Sequence, residues 1–238
     1  VYAIKGNFDD AQTGVKRIFA DSAFNDKLHE NGMFLSSANS INWGRLAPQI
    51  DYYVSAYCDL LAQGAIMPGE EIDVCVPTGN FGNIFAAYIA KLMGLPICRL
   101  VCASNRNNIL TDFLRTGTYD RNRHFYTTMS PSMDILISSN LERLLYTVAG
   151  AEKTAAYMRA LGTDGKYTVD ADVKAKIDES FLGYFCDEEL TKKTIRDTFD
   201  TDHYLCDTHT AVGLAAARQY IAEHGGARKI VLASTASP

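Results

Sequence analysis

The segment Ile72-Asp73-Val74-Cys75-Val76-Pro77-Thr78-Gly79-Asn80-Phe81-Gly82-Asn83-Ile84 decides the fold class. Ile72–Val76 is a short, almost wholly apolar run rich in branched side chains, the pattern of a strand covered on both faces. Thr78–Asn83 is a loop with two glycines and two asparagines. Ile84–Met93 has helical spacing and stops at Gly94 and Pro96. Ile97–Cys102 is apolar again, so the unit reads strand–loop–helix–strand, a crossover that requires a parallel sheet. The loop between strand and helix also has a chemical reading. Glycines let main-chain N–H groups approach an anion closely. The start of a helix adds unpaired N–H donors and about half a unit of positive charge. Asn80 and Asn83 can donate further hydrogen bonds without adding charge. A plain tight turn reads equally well from these residues alone. The loop is not a P-loop, since no Gly-Lys-Ser/Thr follows, and not a Gly-x-Gly-x-x-Gly dinucleotide fingerprint.

Working outward, Tyr2–Ile4 is expected as a strand and Asp9–Phe24 as a helix with Ala11, Val15, Ile18 and Phe19 on one face. Met33–Leu35 fits a short strand. Gly44–Gln63 has helical spacing, with Pro48 tolerated in its first turn. On the carboxyl side, Asn140–Ala149 and Glu152–Leu161 read as two helices and Val169–Asp178 as the start of another. Leu182–Cys186 reads as a strand with a helix at Asp187–Thr198 after it. Thr210–His224 is a helix closed by Gly225-Gly226, and Ile230–Ala233 is a last buried strand. The class is α/β, with a mainly parallel sheet and helices on both faces.

The chain has 238 residues, 47% hydrophobic and 21% charged, with a net charge of −5. That balance is ordinary for a globular protein and argues against nucleic acid or an anionic membrane surface as partner. No apolar run approaches the roughly 20 residues of a spanning helix. None of the six cysteines forms a Cys-x-x-Cys pair and no histidine stands at zinc-ligand spacing, so buried thiols, no metal and a cytoplasmic setting are expected. Val1-Tyr2-Ala3-Ile4 and Ser234-Thr235-Ala236-Ser237-Pro238 both read as the middle of a domain, so a fragment of a longer enzyme is expected.

Pro77-Thr78-Gly79-Asn80-Phe81-Gly82-Asn83 resembles the phosphate loop of the threonine synthases, members of the tryptophan-synthase-like (fold type II) pyridoxal-phosphate enzymes. Four further segments resemble that family, in its order: Gly6–Gln12, Ser37–Arg45, Asp207–Gly213 and Ser234–Pro238. The resemblance implies that Gly79, Asn80, Phe81, Gly82 and Asn83 hold the phosphate of pyridoxal 5′-phosphate and that Thr235 hydrogen-bonds its pyridine nitrogen. A strand-end residue capping a turn is the bland reading of Thr235. Asn39, Ser40, Asn42 and Arg45 offer donors on the substrate side; alternatively Asn39 and Ser40 are helix caps and Arg45 is a solvated helix residue. Asp9-Asp10 is first a helix-start signal, and His209 is either an acid/base group or a satisfied, partly buried histidine.

The Schiff-base lysine of the family lies in a Phe-Lys-Asp-like segment that this chain lacks; Lys5 follows no matching motif. The chain alone is therefore expected to be inert, and its retention of the cofactor is doubtful. The resemblance further implies residues 1–36 as the end of a smaller cofactor-covering domain and 37–238 as the large domain. For the whole enzyme it implies conversion of O-phospho-L-homoserine and water to L-threonine and phosphate. The rivals are another fold type II enzyme, such as a threonine dehydratase, a cysteine synthase or a threonine-synthase-like phospho-lyase, and a non-catalytic anion-binding α/β module.

Overall fold

The computed structural model describes residues 4–6, 8–37 and 40–238, apart from the side chains of residues 8, 9 and 12. Along the chain run α1 (Phe8–Ala20), α2 (Ser22–Glu30), α3 (Trp43–Leu46), α4 (Ile50–Ala62), β1 (Ile72–Pro77), α5 (Gly82–Leu92), β2 (Ile97–Ser104), α6 (Ile109–Thr116) and β3 (Thr118–Asp120). They are followed by α7 (Leu141–Thr163), β4 (Lys166–Thr168), α8 (Ala171–Asp178), β5 (Phe181–Phe185), α9 (Glu188–Asp202), α10 (Thr208–His224) and β6 (Ile230–Leu232).

Four strands form one sheet in the order β5-β2-β1-β6, and every neighbouring pair is parallel. The pleat sorts their side chains into two cores. Val74, Val76, Leu100, Cys102 and Phe181 enter the larger one with α4, α5, α6 and α7. Cys75, Val101, Ala103 and Tyr184 face the opposite way and are covered by α10. Helices thus cover both faces, which is why the strands read as continuous apolar runs rather than alternating ones. Gly213 permits the close seat of α10: a Cβ there would meet Leu232 at 2.6 Å and Pro77 at 2.9 Å. From β1 the chain proceeds outward to β2 and β5, then returns to the other side of β1 as β6. The crevice beyond the carboxyl ends of β1 and β6 is therefore the point where the winding reverses, where open α/β sheets bind ligands.

Several expectations change. The helix read over Asp9–Phe24 breaks at Asp21, whose carboxylate accepts from Phe24 N at 3.0 Å and starts α2. Its apolar stripe is not covered, with Val15, Ile18 and Phe19 each more than 40% exposed. Met33–Leu35 is not a strand; of the strand read at Tyr2–Ile4, residues 1–3 lie outside the described residues and Ile4 is in no strand. A 3-10 turn at Ala47–Gln49, carrying Pro48, divides α3 from α4. The two helices expected around residue 150 are there: Gly150 takes φ 81° and ψ 173°, breaking α7 in the middle. The antiparallel pair β3–β4 and helix α6 were not anticipated.

Candidate functional site

Beyond β1, Thr78 N still donates to Ala103 O at 2.8 Å, so the ladder holds up to the first loop residue. The loop then turns through Phe81, which adopts left-handed backbone angles (φ 63°, ψ 3°) and opens α5. Such a conformation costs a non-glycine residue roughly 1 kcal/mol or more. Burial of the Phe81 ring, 1% exposed and 5.5 Å from the Phe181 ring, offsets that cost. A left-handed residue in a tight turn points successive N–H groups into one concavity, an anion-binding nest. Among the described residues, the N–H groups of Gly79, Asn80, Phe81, Gly82 and Asn83 donate to no protein acceptor.

The rest of the loop is clamped from behind. Gly79 O accepts from Ser138 Oγ at 2.8 Å, and Asn80 O accepts from Asn140 N at 3.0 Å and Asn140 Nδ2 at 2.8 Å. Asn140 leads into α7 but makes no side-chain cap to it: its Oδ1 accepts from Arg143 Nε at 3.0 Å while its Nδ2 serves the loop. The Asn80 side-chain oxygen accepts from Ser139 Oγ at 3.2 Å. That of Asn83 accepts from the Tyr53 hydroxyl of α4. Burial pushes the Tyr53 phenol far above its ordinary pKa, so it stays protonated and donating. With both oxygens held, both carboxamide NH2 groups remain available alongside the main-chain donors. The glycines are sterically required: a Cβ on Gly79 would stand 2.5 Å from Ser132 O, and one on Gly82 would collide with the Ser40 side chain.

These donors line a cleft of about 720 Å³ at the carboxyl end of β1. Thr235, following β6, lines it from the other side, and Ser40 lies over Gly82. Among the described residues, the cleft lining includes no Asp, Glu, Lys, Arg or His. The arrangement suits an anion held by dipoles, with a neutral hydroxyl across the cleft.

The sequence-predicted residues Gly79, Asn80, Phe81, Gly82, Asn83, Thr235 and Ser40 are thus gathered in one cleft. Asn39 lies outside the described residues. Asn42 and Arg45 do not line the cleft. Asn42 Oδ1 caps α3 by accepting from Gly44 N at 2.9 Å while its Nδ2 donates to Ser37 O at 3.0 Å, and Arg45 is exposed on α3. The solvated-residue alternative fits Arg45; the cap made by Asn42 was not anticipated. His209 is hydrogen-bonded at both nitrogens, its Nδ1 meeting Asp207 Oδ1 at 3.1 Å and its Nε2 accepting from Ser132 N at 3.3 Å, and it does not line the cleft. Of the Asp9-Asp10 pair, the Asp9 side chain is outside the described ones. Tyr53, Ser138 and Asn140, which brace the loop, were not anticipated; their positions read as ordinary helix and loop residues.

No protein-family model matches the chain. It is 48% identical over 219 residues to human threonine synthase-like 1, covering 90% of this chain and 29% of that protein. It is 41% identical over 219 residues to the threonine synthase of Pseudomonas aeruginosa, covering 91% of this chain and 44% of that protein. The solved structure of PLP-bound threonine synthase from Brucella melitensis superposes with a TM-score of 0.85 at 40% identity, covering 99% of this chain and 48% of that one. The chain thus spans less than half the length of the relatives it matches. Across nearly all of its own length, the chain shares sequence and fold with less than half the length of the threonine synthases it matches, one of them solved with PLP bound.

Proposed function

We propose that these 238 residues form the phosphate- and ring-binding side of a pyridoxal-phosphate enzyme that converts O-phospho-L-homoserine and water to L-threonine and phosphate. The observation that carries the proposal is the set of main-chain donors from Gly79 to Asn83, without protein acceptors, at the mouth of α5 in a cleft shared with Thr235. The residues fit the cofactor. A phosphate would be held by the loop amides and by Asn80 and Asn83, with no carboxylate among the described lining residues to repel it. The glycine-only approach at Gly79 and Gly82 leaves room for nothing larger than backbone there. Thr235 would meet the pyridine nitrogen with a neutral hydroxyl, which does not require that nitrogen to be protonated. When bound, the cofactor supplies the electron sink for carbanion chemistry.

What the chain contributes is binding, orientation and exclusion of water. Val231, Leu232 and Ile84 wall the cleft with apolar surface, and Ser40 offers a hydroxyl on the presumed substrate side. The titratable lining residues are Tyr52 and Tyr53, and Tyr53 is committed to Asn83. The group that moves protons at the substrate carbons is accordingly supplied from outside these residues, and the chain by itself is inert. In this reading residues 1–36 close a smaller cofactor-covering domain and 37–238 are the large one. The run 33–37 between α2 and the sheet-bearing part, which holds neither helix nor strand, supports that division. A cytoplasmic setting belongs to the same proposal and is supported by six unpaired thiols. No helix among the described residues is long and apolar enough to cross a membrane.

A threonine-synthase-like enzyme that eliminates phosphate without making threonine is kept as a second reading. The higher identity to a protein named threonine synthase-like, 48% against 41%, is what keeps a reading other than threonine synthase itself in play. The test is product analysis of the full-length protein with O-phospho-L-homoserine. Threonine supports the first reading, 2-oxobutyrate supports the second, and no release of phosphate overturns both.

A further inference from the structure

The start of α10 connects the two sides of the cleft. The Asp207 carboxylate, 7% exposed as a residue, accepts from His209 N at 2.8 Å and Thr210 N at 3.2 Å and is also bonded by the Thr210 hydroxyl. From this hub one branch runs through the His209 ring to Ser132 N, and Ser132 O stands where a Cβ on Gly79 would be. Thr208 Oγ1 secures the same segment by donating to Met129 O at 2.7 Å. The other branch runs through Thr210 Oγ1 to Ser234 Oγ at 3.0 Å, next to Thr235. One buried carboxylate is therefore bonded, two links away in each direction, to the Ser132 segment packed against Gly79 and to the turn bearing Thr235.

We propose that Asp207 and His209 are positioning residues that set the spacing between the phosphate loop and the Ser234–Thr235 turn, so that both ends of one ligand are gripped together. This rests on the cofactor reading above. His209 acts here as a hydrogen-bond acceptor for the Ser132 amide, and Thr210 is the separate link to the ring side.

The test uses the 238-residue chain with two probes. Inorganic phosphate reports the loop alone. Pyridoxine 5′-phosphate, which has the ring and phosphate but no aldehyde to react with lysines, reports loop and turn together. His209→Ala is expected to weaken both probes by about tenfold, the size of one lost hydrogen bond. His209→Gln, whose carboxamide oxygen can take the Ser132 N–H, is expected to stay within about threefold of the parent. Thr210→Val keeps the shape and removes the hydroxyl. It is expected to leave inorganic phosphate within about twofold and to weaken pyridoxine 5′-phosphate by about fivefold. The inference is overturned if His209→Ala binds both probes like the parent, if His209→Gln is as weak as His209→Ala, or if Thr210→Val affects both probes equally. If the parent binds neither probe, the anion cradle itself is wrong and the inference falls with it. The Thr210→Val arm stands independently should His209→Ala not fold.

Discussion

Replacing Gly79 by Ala tests the cradle most directly. Gly79 has no left-handed backbone requirement, so the added methyl acts by volume alone. Its Cβ would stand 2.5 Å from Ser132 O and 3.2 Å from Met133 Cα, both main-chain atoms that cannot swing aside. Restoring ordinary contact requires a separation of roughly 1 Å. The Ser132 side resists, because Met133 is 3% exposed and Ser132 N is bonded to His209. The phosphate loop is then the part that moves. Hydrogen bonds work over about 2.7–3.2 Å, so a shift of that size disables at least one main-chain donor. A lost bond to a charged group is worth roughly 1.5–3 kcal/mol, or at least about tenfold in affinity. The strain lowers stability by about 1–3 kcal/mol, a fall of roughly 2–10 °C in Tm. Calorimetric titration of inorganic phosphate into parent and variant, at a temperature where both are folded, reads the affinity; a thermal scan reads the stability. Gly14→Ala is the control: its Cβ meets nothing within 4 Å, so stability should be unchanged or slightly raised and phosphate binding unaffected. If Gly79→Ala bound phosphate within twofold of the parent, the loop would not be the cradle described.

Three other perturbations separate the site from its scaffold. Tyr53→Phe frees the Asn83 carboxamide to rotate and should weaken phosphate about fivefold with little change in Tm, measured by the same titration. Asp73, buried at the start of β1, receives Arg99 N, the Tyr220 hydroxyl and Arg228 Nε at 3.0, 2.8 and 3.1 Å. Asp73→Asn should lower stability by roughly 3 kcal/mol in denaturant titration while leaving phosphate affinity as it was, because it sits at the far end of the sheet. For Asp207, burial pushes the carboxyl up, but the hydrogen bonds from Thr210 and His209 outweigh it and hold the pKa below its usual value. A depressed folded-state pKa contributes stability above the unfolded value of about 3.9 that is lost as pH falls through the folded one. Asp207→Asn should therefore lower Tm at pH 7 and flatten its decline below about pH 4; an unchanged acid limb would contradict the assignment.

How much of this was legible in the sequence follows from the range of each signal. The unit β1–loop–α5 was plain because a buried strand, paired glycines and a helical repeat abut within one short stretch. The break of α7 at Gly150 was visible for a similar reason. Helix α6 has only eight residues, too few for a repeat to establish itself before Gly117 ends it in a left-handed turn. Strands β3 and β4 have three residues each, and stacking of Tyr119 on Tyr167 helps hold them together rather than any alternation along the chain. At the site, main-chain donors are readable because glycines announce them. The braces are not: Tyr53 looks like any core position of α4, and Asn140 looks like a helix cap until its partner Asn80, 60 residues away, is seen. His209 cuts the other way: a histidine opening a helix invites a chemical role, whereas the structure places it outside the cleft with its two nitrogens on Asp207 and Ser132.

The two ends of the parallel sheet are built on opposite principles, and the contrast locates the function. At the amino end, Asp73 is saturated by donors from β2, α10 and the segment before β6, so nothing there has use for a ligand. At the carboxyl end, main-chain amides of five successive residues and two carboxamide NH2 groups have no protein acceptor among the described residues, although serines, an asparagine and a tyrosine are spent on holding their oxygens still. Donors fixed in place without acceptors cost stability that the rest of the fold must supply. Fixing them beforehand removes the reorganisation that would otherwise oppose binding an anion. The bracing residues explain why the loop resists relaxing into self-satisfied turns, and they give the cradle its preference for a compact, multiply accepting group such as a phosphate.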